Sequence, residues 1–197
     1  MKTVLFIILL SFASLASVSQ SLYKQENQTF VLSGTSNIND WKMTSNEATG
    51  TAIIDVKNNT LYSIEYLQIS IPAESLNSNR PGMDMIAQKA MNTDKYPTIL
   101  YTLNNIVSIT PIGNKIEVVA IGQLNFNGVI RNLQMTVMGE IKNNQIVFEG
   151  RASVRMTDYN IDPPVALFGT IKTADETVVY FNIKFTKKQE FTQQSEK

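Results

Sequence analysis

The run from Ile116 to Met156, IEVVAIGQLNFNGVIRNLQMTVMGEIKNNQIVFEGRASVRM, decides the fold class. Ile116, Val118, Ala120, Gly122, Leu124 and Phe126 alternate with a set containing Glu117, Gln123 and Asn125. Leu133, Met135, Val137, Gly139 and Ile141 alternate with Gln134, Thr136 and Glu140. Ile146, Phe148, Gly150, Ala152, Val154 and Met156 alternate with Gln145, Glu149, Arg151, Ser153 and Arg155. A period of two gives each segment one apolar and one polar face, the pattern of a half-buried antiparallel strand. Gly113-Asn114, Asn127-Gly128 and Asn143-Asn144 separate the segments, and such residues tolerate the positive φ of tight hairpins. Residues 98–156 therefore read as a meander.

Further candidate strands cover residues 28–36, 48–57, 61–71 and 177–187. The total is eight, the number at which an antiparallel sheet can close and leave room for side chains or one small ligand. The expectation is an all-β protein, an eight-stranded antiparallel barrel with one short helix between strands three and four. That helix is read from residues 81–94, where Met83, Ile86, Ala87, Ala90 and Met91 recur at helical spacing behind Pro81. Its methionines read either as core packing or as an adaptable lid over one end. Residues 157–173 form a second irregular stretch, in which Pro163-Pro164 excludes a central strand and Val165, Ala166, Leu167 and Phe168 follow. A long apolar loop either lines the mouth of a cavity or caps the core.

The N-terminus differs in composition from the rest. Lys2 is the only charge before Lys24, an apolar run spans residues 4–10, and small residues dominate residues 11–19. This is the pattern of a secretory signal peptide, with cleavage after Ala16 or Ser19. The run is shorter than the roughly 20 apolar residues that span a bilayer. The expected organisation is a signal peptide over 1–19, one domain over 20–187 and a polar tail over 188–197. A periplasmic or secreted protein follows, with no integral span once the signal is removed.

Composition excludes several chemistries. The chain has no cysteine and no histidine, so lipoprotein anchoring, disulfides, thiol catalysis, a Ser-His-Asp triad and the usual transition-metal ligands are absent. No metal site and no cofactor are expected, and no catalytic residue is assigned. Seventeen Lys and Arg balance 17 Asp and Glu, which gives no basic footprint for nucleic acid. Most carboxylates fall at turns (Asp40, Asp94, Asp175) or on outward strand positions (Glu117, Glu140, Glu149), where solvation accounts for them.

What remains is an excess of apolar inward positions. Ile99, Tyr101, Leu103, Val107 and Ile109 alternate on one candidate strand, and Phe181, Ile183 and Phe185 on another. They either fill a solid core or line a pocket. The small residues Ala120, Gly122, Gly139, Gly150 and Ala152 in the inward phase favour open space beside Phe126, Met135 and Phe148. The candidate pocket residues are Met83, Ile86, Met91, Tyr101, Leu103, Phe126, Met135, Phe148, Val154, Phe168 and Phe181. Asn77, Arg80 and Arg155, near the two irregular stretches, are candidates for holding a polar head group.

Three stretches, in this order, resemble the YceI-like family of exported lipid-binding proteins. Residues 75–97 resemble its serine after strand three, short helix and aromatic-proline pair (Ser75, Tyr96-Pro97). Residues 122–129 resemble its glycine-leucine strand and hairpin glycine (Gly122, Leu124, Gly128). Residues 155–161 resemble its arginine-led turn, followed by a last strand over 175–185. Asn39-Asp40-Trp41 follows the variant with tryptophan, and with no histidine in the chain any histidine role in relatives does not carry over. The resemblance implies a lipocalin-like barrel whose extended apolar pocket takes polyisoprenoid chains and similar amphiphiles. The functional expectation is a non-catalytic carrier of a polyisoprenoid, quinone-like or fatty amphiphile, with a homodimer left open. The alternatives are an envelope interaction module without a ligand and a carboxylate enzyme acting on a lipid-like substrate.

Overall fold

A computed structural model describes residues 21–188. The expected signal peptide and all of the expected tail beyond Lys188 lie outside the described residues. The strands are β1 (Ser21–Ser36), β2 (Trp41–Ser45), β3 (Thr49–Lys57), β4 (Thr60–Pro72), β5 (Thr98–Ile112), β6 (Lys115–Phe126), β7 (Val129–Lys142), β8 (Gln145–Arg155), β9 (Val165–Ala166) and β10 (Ile171–Lys187), with helix α1 (Pro81–Met91) between β4 and β5. They form one antiparallel sheet in the order β2-β1-β3-β4-β5-β6-β7-β8-β10-β9. It curls until β10 runs along β1, from Tyr23 opposite Lys187 to Ser36 opposite Thr173.

The hairpins follow from asparagine and glycine. Asn58-Asn59, Asn127-Gly128 and Asn143-Asn144 all take positive φ, the left-handed geometry that matches strand twist in two-residue loops. Pro81 opens α1 and Asn92 ends it in the left-handed conformation, where a residue with little steric penalty is needed. Within the first turn, buried Asp84 accepts hydrogen bonds from the Ser78 backbone N–H (2.8 Å) and hydroxyl (2.5 Å).

The expected eight-stranded barrel with its helix between strands three and four is corrected on each count. Ten strands stand among the described residues. Trp41–Ser45, not expected as a strand, adds one ahead of the helix, which therefore falls between β4 and β5. The hydrogen-bonded wall is also not closed. β4 and β5 pair only from Gln68 opposite Thr102 to Pro72 opposite Thr98, and residues 60–67 and 103–112 then part. Against β6, β5 carries register shifts at Leu103/Asn105 and Ile106/Ser108, and bulges bend a strand away from its flat course. The same shifts break the expected alternation. Ile106 packs inward, whereas Val107, expected inside, is exposed.

Two apolar clusters fill the curl. One lies deep between the sheet faces and includes Phe30, Ile54, Leu61, Val118, Phe148 and Phe185. The other lies toward α1 and includes Met43, Leu76, Met91, Leu124, Met156 and Ile161.

Candidate apolar binding site

Two cavities adjoin inside the fold and share Leu32 and Phe126 as a common wall. The inner one measures about 140 Å³ and is enclosed by inward positions of β1, β4, β5, β6, β7, β8 and β10. Of the expected pocket residues, Tyr101, Leu103, Phe126, Met135, Phe148, Val154 and Phe181 line it. The outer cavity measures about 320 Å³ and lies between α1, the residues joining β1 to β2, and the segment that leads into β10. Met83, Ile86 and Met91 line it from the helix, and Arg80 stands at the helix start.

The inner lining is aliphatic and aromatic throughout. Its one polar side-chain group is the Tyr101 hydroxyl, and burial pushes that phenol up to about 12, because an apolar surrounding penalises the phenolate. Such a site has no hydrogen-bond pattern with which to recognise a polar substrate. The outer lining is mixed and adds Ser36, Asn39, Asp40 and Thr173 to the apolar set.

The inward glycines do not leave the open space expected of them. A Cβ on Gly122 would lie 2.4 Å from the Tyr101 ring, one on Gly150 would lie 2.6 Å from Phe181, and one on Gly139 would lie 3.1 Å from Phe148. Each glycine thus seats an aromatic ring from a neighbouring strand or its own sheet face. The cavity is the volume left between those rings, and ring placement decides its shape.

Three expected residues are not brought to either cavity. Phe168 stands wholly in solvent. Arg155 is exposed and pairs with Asp175 at 3.1 Å. Asn77 bridges to the Thr44 backbone and accepts the Asn79 N–H at 2.7 Å through its own side chain. Conversely, Leu32, Ile99 and Leu133 line the inner cavity, and Trp41 and Met43 the outer one. Alternation in β1 was the available signal for Leu32, whereas β2, only five residues long, offered none for Trp41 and Met43. Among the described residues no group of acidic side chains could hold a metal ion, and no helix is long and apolar enough to cross a membrane.

A curled antiparallel sheet around an apolar chamber, with no polar constellation inside it, defines a class of ligand-holding proteins. Residues 21–185 match the YceI-like domain, and the chain belongs to that family, whose members are non-catalytic binding proteins. No curated protein matches it. Among solved structures, a polyisoprenoid binding domain from Saccharophagus degradans is similar at a TM-score of 0.63 and 11% identity, over 84% of this chain and 98% of that one. BcnA of Burkholderia cenocepacia is similar at 0.60 and 16% identity, over 80% and 95%. A YCEI protein of Campylobacter jejuni is similar at 0.52 and 17%, over 72% and 82%. These likenesses concern the fold.

Proposed function

We propose that this chain is an exported carrier, which holds the apolar chain of an amphiphile in the inner cavity and its polar end in the outer one. The observation that carries this reading is the inner lining, which offers a single hydroxyl, that of Tyr101, among 25 residues. Binding there is driven by area, at about 0.8 kcal/mol per buried methylene, so chain length and shape matter more than headgroup chemistry. A polyisoprenoid, a quinone-like tail or a fatty chain meets that requirement, and the Saccharophagus degradans relative is itself described as polyisoprenoid binding. Leu103, Met135, Phe148, Val154 and Phe181 would contact the chain. Met83, Ile86 and Met91 would adapt to it near the opening, since thioethers are flexible fillers of irregular space. Arg80, at the outer cavity, is the headgroup partner of this reading.

The N-terminal apolar run supports delivery to the periplasm or exterior, with residues 20–187 as the carrier domain. Gentle purification of the exported protein, organic extraction and mass spectrometry should yield one amphiphile per chain. Intact mass should place the new N-terminus after Ala16 or Ser19. A lipid-free protein that also fails to bind long-chain amphiphiles would overturn the proposal.

A further inference from the structure

The turn between β9 and β10 carries apolar side chains where the rest of the fold uses asparagine. Ten non-glycine residues among those described take positive φ: eight are asparagines, and the other two are Leu167 (48°) and Phe168 (57°). A side chain without asparagine's compact polar group adopts this conformation reluctantly. Here the turn is fixed regardless. Gly169 N–H donates to Ala166 O at 3.1 Å and Thr170 N–H to Leu167 O at 3.2 Å. The Asn37 side chain donates to Thr170 O and accepts from Lys172 N–H, both at 2.8 Å.

The result is a projecting apolar tip. Phe168 is 110% exposed, more than in an extended chain, and Leu167 is 66% exposed. Asn37 thus ties the base of the turn to the β1–β2 connection, which carries the exposed Ile38. Ile38 and Val165 both line the outer cavity, so the tip stands at the cavity's rim. Arg80 lines the outer cavity and Lys172 pairs with Val165 beside the turn; neither forms an ion pair among the described residues, against one acidic residue, Asp40, in the lining.

We propose that Leu167 and Phe168 form a wedge that enters the surface of a lipid bilayer carrying anionic headgroups, with Arg80 and Lys172 facing those headgroups, so that the outer cavity opens against the membrane. The proposal rests on the carrier reading. A single ring standing clear of its own backbone suits a fluid apolar phase, which closes around it without a matching recess. The flanking cations add attraction at short range. Docked this way, an amphiphile passes between bilayer and cavity without crossing water.

The test is flotation of the exported chain with phosphatidylcholine vesicles containing phosphatidylglycerol, compared with the Leu167→Asn/Phe168→Asn double variant. Asparagine suits the left-handed turn, so the variant keeps its fold and its melting temperature does not fall. The expected result is a vesicle partition coefficient lowered at least tenfold, with uptake of a detergent-dispersed fluorescent fatty acid unchanged. Equal flotation of the two proteins, or no flotation of either, overturns the proposal. So does concentration-dependent dimerisation that the variant abolishes, which would assign the tip to a second copy. Flotation that the double variant loses, in a protein that takes up no amphiphile, would sustain the wedge and sink the carrier reading. Amphiphile uptake without flotation would do the reverse.

Discussion

The Tyr101 hydroxyl occupies the place where Gly122, diagonally across on β6 and directly opposite Leu103, would carry a side chain: a Cβ there would lie 2.4 Å from it. In Gly122→Ala the outer end of the Tyr101 ring must therefore move, and the inner cavity is the open volume beside it. Overpacking of this kind costs about 1–3 kcal/mol. The variant should lose stability by that amount in urea denaturation. It should also bind a fluorescent fatty acid more weakly, because the displaced ring takes up chain space. Unchanged values of both would show that the contact carries no weight.

Ala120 is another small inward residue, and it does border the cavity. Ala120→Phe places a ring in a volume of about 140 Å³. The expected outcome is at least a tenfold loss of amphiphile affinity. The stability change should be small, since strain and cavity filling oppose one another. Fluorescence displacement and thermal melting, measured together, separate a blocked pocket from a broken fold.

Tyr101 also gives the fold a signature in alkali. Its folded pKa is raised to about 12 from an ordinary 10.0. The protonated phenol is thus favoured by folding, and its contribution is complete below pH 10. That contribution declines as pH rises from there through about 12. Burial also raises Tyr23 and Tyr159, so phenolate absorbance should show a group of tyrosines ionising after the exposed ones, and Tyr101→Phe should remove one equivalent from the last part of that step. A bound amphiphile should delay it further by excluding water.

Asp175 acts at the opposite end of the scale. Its carboxylate accepts the Thr157 backbone N–H (2.8 Å), the Thr157 hydroxyl (2.7 Å) and Arg155 Nε (3.1 Å). The backbone bond from Thr157 is the leading cause holding its pKa below the usual 3.8. The contribution is present above that value and is lost as pH falls through the lower folded pKa. Asp175→Asn should lower the melting temperature at neutral pH, and the gap between variant and wild type should close in acid. A gap that stayed constant with pH would contradict the role of the charge.

The parts of the fold most legible in the sequence were those in which local pattern and tertiary environment agree. The segments of β6, β7 and β8 alternate cleanly because one face meets the core and the other meets water. β1 was read from Gln28 although it begins at Ser21, since its first residues invert the rule: Ser21 and Gln25 are buried and Leu22 is half exposed. β2 is five residues long, too short for a period to register. The site was legible in its apolar strand positions and in its helix. It was not legible where geometry depends on a second strand, as with the glycines that seat Tyr101, Phe148 and Phe181. Nor does an apolar loop reveal which way its turn points, and so Phe168 was placed inside when it stands outside.

The pairing of β1 with β10 sets the timing of folding. Phe30 sits opposite Phe181, near the two ends of the described chain, and β1 holds β3 through only the four residues Ser21–Lys24. Contacts between such distant segments form late, because the intervening chain must be gathered before they give any return. A chain still lacking its last strand has two unpaired sheet edges and an open apolar interior, a state prone to mispairing. Completion of the sheet therefore waits for the final strand to arrive.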